Sequence, residues 1–227
     1  MAWAAVLNVP SVEYATIQTA VTAAQAGDTV SVSGGPYTEN VMVNNAGHAR
    51  DGVIISGVGM PAINGGFYLA ANGATVSGME IVGGFASGGH AVGVVAMADQ
   101  YVISGNTIRD CVGSQSCGIE AGYNCDQGLV SGNTITGNWR GIYFNPCTGV
   151  TVQGNDINNN TGSGVGIGKT VTLTGAGRGA AILTGGFVVT ANDVVIEGFE
   201  VLGGANAWGS NAGVMTNASV EDLTVRD

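Results

Sequence analysis

The sequence predicts an all-β fold: a right-handed parallel β-helix of about nine coils behind an N-terminal amphipathic capping helix. Three observations predict it. A glycine preceded two positions earlier by an aliphatic residue recurs along the whole chain, at Val32/Gly34, Ile55/Gly57, Val76/Gly78, Ile103/Gly105, Val130/Gly132, Val152/Gly154, Leu173/Gly175 and Ile196/Gly198, with Val220/Asp222 as a degenerate ninth copy. The steps of 23, 21, 27, 27, 22, 21, 23 and 24 residues are those of a solenoid, in which each turn of the chain stacks on the last. Within each unit the residues are β-branched and alternate, with Gly and Asn at the corners, which is the pattern of strands and turns.

The elements follow in order. "TIQTAVTAAQAG" (16–27) places Ile17, Ala20, Val21 and Ala24 on one helical face, with Gly27 as the expected stop. A helix there covers the open end of the apolar stack, as terminal repeats of such arrays require. Each following coil is too short to hold a helical crossover, so consecutive strands pair in parallel at about 4.8 Å, and nine rungs span roughly 40 Å. Parallel crossovers are overwhelmingly right-handed. The residue three after each glycine is aliphatic at Ile81, Ile108, Ile135, Ile157, Val201 and Val225; Met60 fits loosely, and Tyr37 and Arg178 depart from the pattern. A longer repeat lies above the coil repeat: "GGFYLAANGATVSGMEIVGG" (65–84) matches "GGFVVTANDVVIEGFEVLGG" (185–204) at nine of twenty positions. The reading is therefore one domain, 1–227, with the cap and first coil in 14–44 and a first coil array in 53–110. Coils rich in Cys and Asn follow in 111–168, and a second, incomplete copy of the array occupies 169–227. The last coil, near Asp227, has no cap, so the expectation is that the native chain continues or that this edge self-associates.

Composition narrows the function. The 227 residues are 45% apolar but only 10% charged, with 40 glycines and a net charge of −10. A typical chain is a quarter charged. One lysine and five arginines offer no basic stripe for phosphates, so nucleic acid is excluded as a partner. No apolar run is long enough for membrane insertion. No signal peptide opens the sequence, as expected if it starts at a mature domain.

"YATIQTAVTAAQAGDTVSVSGGPYTENVMVN" (14–44), followed by "VIISGVGMPAINGG" (53–66) and "ATVSGMEIVGG" (74–84), resembles the opening of right-handed β-helix proteins of the pectate-lyase-like superfamily, in particular NosD-like and other cell-surface β-helix repeat domains. The resemblance implies the fold and a location outside the cell or at its surface. It does not imply one activity, because the superfamily holds lyases, hydrolases, esterases, epimerases and non-catalytic modules. Signatures of its enzymes are missing: there is no Asp-Asp dipeptide of polygalacturonases and no Asp-Pro-His of alginate epimerases.

Register supplies the candidate residues. Asn106, Asn133 and Asn155 follow glycine at one phase on three coils, and stacked amides both donate and accept, so an asparagine ladder is expected. Cys125 and Cys147 each lie eight residues before one of these asparagines, which predicts a disulfide between adjacent coils; Cys111–Cys117 would close a short loop. Four buried thiols are the alternative. Asp99 and Asp126 lie seven residues before Asn106 and Asn133. Stacked carboxylates suit Ca²⁺ or a glycosidase acid and nucleophile, although Asp is also a common turn residue. Glu120 and Tyr143 share a phase, and with Trp139, Arg140 and the nearby His90 and Arg109 they mark a flank that could hold a sugar chain, although a solvated strand face with isolated aromatics is the simpler reading. "NNT" (159–161) and "NAS" (217–219) have the form of N-glycosylation sites. The leading expectation is a non-catalytic extracellular module that acts as a scaffold, a surface-layer or filament unit, or a weak binder of polysaccharide. The alternative is a polysaccharide lyase or glycoside hydrolase.

Overall fold

The computed structural model describes residues 3–44, 46–87, 90–122 and 125–168, and beyond them the strand segments Thr172–Thr174, Ile182–Thr184, Phe187–Val189, Val195–Glu197, Glu200–Leu202, Val214–Thr216 and Thr224–Arg226. Three parallel sheets wind about one axis as a right-handed β-helix. Six coils have all three of their strands described, from Thr29 to Ile167, and the later segments add further strands to each sheet. The fold class is as expected, but the structure has about six turns against the nine expected, with only strand segments described after Ile167. The turns of the second array, the "NAS" motif and the terminal edge at Asp227 lie outside the described residues.

The alternation of side chains decides what each strand buries. On the first sheet Val30, Ile55, Val76, Ile103, Val130 and Val152 all point inward and are almost fully buried. Ile63, Ile81, Ile108, Ile135 and Ile157 form the column of the second sheet. On the third sheet Val41, Phe67, Val94, Ile119, Ile142, Val165 and Phe187 are stacked partners. Burial of each such side chain is worth roughly 1.5–3 kcal/mol, and the columns make the core continuous along the axis. The echo between the two arrays has a structural counterpart here, since Phe67 and Phe187 occupy the same inward column.

Two registers differ from the glycine phase. Val30, not Val32, pairs with Ile55, and Val32 faces Gly57; Val150, not Val152, pairs with Leu173. Each slip is two residues, which keeps inward residues inward because the side-chain period is two. Met60 is not an inward residue: it sits exposed in a left-handed turn (φ 58°), and Ile63 takes the core position.

The cap is the helix Ile17–Ala23, which buries Ile17, Ala20 and Val21. Thr16 and Thr19 form a reciprocal capping box at its start. It ends at Ala24, earlier than the Gly27 expected from the sequence. Glu39 holds its N-terminus, accepting the Ile17 and Gln18 N–H groups at 2.9 Å each. Arg50 holds the other end, donating to the Val21 and Thr22 carbonyls at 2.9 and 2.7 Å. Both charges complement the helix dipole.

Candidate functional site

Asparagine chemistry at the corners is structural. In each Gly-Asn step the glycine, not the asparagine, takes the left-handed bend: φ is 62° at Gly105, 62° at Gly132 and 60° at Gly154. The asparagine that follows turns inward. Asn106 Oδ1 accepts the Met79 N–H, Asn133 Oδ1 the Asn106 N–H and Asn155 Oδ1 the Asn133 N–H, all at 3.0 Å. Their amides donate back to the carbonyls of Val76, Ile103 and Val130. A second column, unread in the sequence, lies five residues on: Cys111 donates its N–H to Asn138 Oδ1 and Asn138 to Asn160 Oδ1, each at 3.0 Å.

The aspartates serve a third column. Asp51 accepts the Asn72 N–H, Asn72 the Asp99 N–H (3.1 Å), Asp99 the Asp126 N–H (2.9 Å) and Asp126 the Thr148 N–H (2.7 Å). Asp99 and Asp126 thus stand on neighbouring coils, each with one oxygen tied to the next turn. Among the described residues no three His, Cys, Asp or Glu side chains converge as a metal would need.

The outer face of the third sheet holds a cleft of about 220 Å³ lined by His90, Gln115, Glu120, Arg140, Tyr143 and Asn145. The strands His90–Ala96, Cys117–Ala121 and Arg140–Phe144 position it. Glu120 and Tyr143 are register partners, outward of the buried Ile119 and Ile142. The Arg140 guanidinium carbon lies 4.5 Å from the ring centroids of both Trp139 and Tyr143, a cation–π arrangement that fixes the charge at the cleft. Tyr143 has room because Gly168 carries no side chain: a Cβ there would stand 2.3 Å from the Tyr143 hydroxyl. Gln115 and Asn145 were not anticipated; the first sits on the loop that lengthens a 27-residue coil, the second just past a strand. Arg109, expected near this flank, lies on the second sheet, paired with Glu80 at 2.9 Å and with Asp110.

All four cysteines are buried thiols. Burial pushes Cys111 and Cys117 up to about 12, against the pull of the Arg140 charge on Cys117. Cys111 Sγ lies 3.9 Å from the Arg109 carbonyl and Cys117 Sγ 3.3 Å from that of Gln115. Cys125 and Cys147 meet across adjacent coils with their Sγ atoms 3.0 Å apart.

A family model described as periplasmic copper-binding protein (NosD) matches residues 21–175. The chain belongs to the NosD family. No curated protein matches it. Among solved structures it is similar to a pectin methylesterase of the rice weevil (14% identity, TM-score 0.50, over 96% of this chain and 88% of that one). It is also similar to a pectin methylesterase of Aspergillus niger (15%, 0.43, 99% and 86%) and to a periplasmic alginate epimerase (11%, 0.48, 88% and 60%). At such identities the likeness speaks for the fold alone. The NosD name raises copper, and the described residues do not fit it. Thiolates suit Cu(I), but metal–sulfur bonds of about 2.3 Å to two sulfurs 3.0 Å apart would close the S–metal–S angle to about 80°, and no third His, Cys, Asp or Glu joins them.

Proposed function

We propose that this NosD-family chain is a non-catalytic β-helix module that works outside the cytoplasm, in the periplasm or at the cell surface, and holds a polysaccharide on its third sheet. The observation that carries this reading is the cleft between Glu120, Arg140 and Tyr143. Sugar hydroxyls both donate and accept, and this lining mixes donors and acceptors (Gln115, Asn145, Tyr143, His90) with an acceptor carboxylate and a fixed cation. The adjacent Trp139 and Tyr143 rings give a sugar ring apolar faces to lie on. The periplasmic family name supports the location, and no described helix is long and apolar enough to cross a membrane.

A glycosidase would need two carboxylates about the scissile bond, and among the described residues Glu120 is the only one lining the cleft. One observation favours a second reading. His90 and Tyr143 line the same cleft as Arg140, and a polysaccharide lyase needs a base beside a cation that neutralises a uronate carboxylate. Calorimetric titration with acidic and neutral oligosaccharides, with and without Ca²⁺, tests both. Binding that falls at least tenfold in Tyr143→Ala and Arg140→Ala, with no new sugar ends formed, supports the module. Turnover abolished by His90→Ala establishes the lyase, turnover abolished by Asp126→Ala the carboxylate or Ca²⁺ alternative, and absence of any binding overturns the cleft.

A further inference from the structure

We propose that Cys125 and Cys147 form a covalent disulfide between neighbouring coils, a modification that removes this pair of soft donors from metal chemistry. The inference is independent of the cleft's ligand. The two sulfurs are already 3.0 Å apart, on turns held in register right beside them: Gln127 N–H donates to the Thr148 carbonyl at 2.8 Å and Thr148 N–H to the Asp126 carboxylate at 2.7 Å. Neighbouring strands about 4.8 Å apart set the Cα separation inside the range a disulfide spans. Tyr101 closes the site. Its ring occupies the space left by Gly128, where a Cβ would stand 2.0 Å from the ring. Its hydroxyl is buried with no hydrogen-bond partner among the described residues, and it is near enough to both thiols for their charge to affect its own ionisation.

The step balances with a low-molecular-weight disulfide such as oxidised glutathione as the oxidant. One cysteine thiolate attacks the oxidant's sulfur and expels a glutathione thiolate; the second cysteine, on losing its proton, attacks the mixed disulfide and expels the other. Two electrons pass to the oxidant and two protons leave the protein. Because Cys125 and Cys147 are 0% and 1% exposed, the reaction runs while the coil is closing or locally open. The bond also ties down the turn that carries Asn145, two residues before Cys147, at the rim of the cleft.

Peptide mapping decides it. The purified chain is equilibrated with oxidised glutathione, denatured in the presence of an alkylating agent without reduction, and cut with trypsin, which cleaves after Arg109, Arg140 and Lys169. The expected result is that peptide 141–169, which carries Cys147, stays linked to peptide 110–140 and is freed by reductant. The link is lost in Cys125→Ser and kept in Cys111→Ser and Cys117→Ser. Fragmentation of the wild-type pair gives the same assignment without a variant. Recovery of 141–169 as a free peptide alkylated on Cys147, or a link running to Cys111 or Cys117, overturns the proposal.

Discussion

Asn133 Oδ1 accepts two bonds from Asn106, one from its backbone N–H and one from its side-chain amide, both at 3.0 Å. Asn133 in turn gives its own N–H and amide to Asn155, at 3.0 and 2.9 Å. The middle rung therefore has partners on both sides and is 1% exposed. Asn133→Ala strands the Asn106 donors and the Ile103 carbonyl in a dry corner, and each orphaned group costs about 1–3 kcal/mol. Asn155→Ala strands the matching groups, the Asn133 donors and the Val130 carbonyl, but at a corner 6% rather than 1% exposed, where water reaches them more readily, so it costs less. Urea midpoints of the two variants check the order.

The helix clamp gives a local prediction. Glu39 satisfies two N–H groups at the helix start and Arg50 two carbonyls at its end. Loss of a cap of this kind costs about 0.5–2 kcal/mol. Glu39→Ala and Arg50→Ala are expected to speed amide exchange across residues 17–24 and leave the inner strands, such as Ile103 and Val130, protected. Uniform loss of protection along the chain would contradict a local role.

How far the sequence could be read depends on what repeats. Ile108, Ile135 and Ile157 recur with one residue type at one phase, and the structure stacks them. The two-residue slips at Val30 and Val150 were invisible because Val32 and Val152 are buried as well; either register satisfies the alternation. Asp99 and Asp126 were legible as a stacked pair, but Asp51 and Asn72, which extend their column, escaped notice because the shared property is an acceptor oxygen, not a residue type. Glu120 and Tyr143 were legible by phase. Gln115 and Asn145 reach the cleft through loop geometry, which no period encodes.

Tyr101 presents a reversed expectation. Its hydroxyl is buried without a partner among the described residues, and replacing an unsatisfied polar group by an apolar one of the same shape is neutral or stabilising. Tyr101→Phe in the reduced protein is expected to raise the melting midpoint, by an amount worth about 1 kcal/mol. Gly128→Ala, which drives a methyl into the same ring, is expected to lower it. A Phe variant less stable than wild type would show that the hydroxyl has a partner.

Gly168 tests the cleft without touching its lining. A methyl at Gly168 would stand 2.3 Å from the Tyr143 hydroxyl, so Gly168→Ala displaces that side chain. The expected outcome is an oligosaccharide affinity lowered towards that of Tyr143→Ala, with the far-UV circular dichroism of the wild type. Unchanged affinity would place the ligand away from the Tyr143 hydroxyl.

Alkaline stability follows from the buried thiols. In the reduced, folded chain burial holds Cys111 and Cys117 at about 12, against 9.0 for the free side chain, and burial raises Tyr101 well above its ordinary value. Between 9.0 and about 12 the unfolded chain has released thiol protons that the folded chain keeps. The unfolded state then binds fewer protons, so stability falls as pH rises, by up to about 1.4 kcal/mol per pH unit for each thiol. Below the unfolded value both states are protonated and this contribution is constant. Urea midpoints in reductant are expected to be level to about pH 8 and to drop by about pH 10, with a shallower drop in Cys117→Ala. A midpoint independent of pH over that interval would mean the thiols titrate alike in both states.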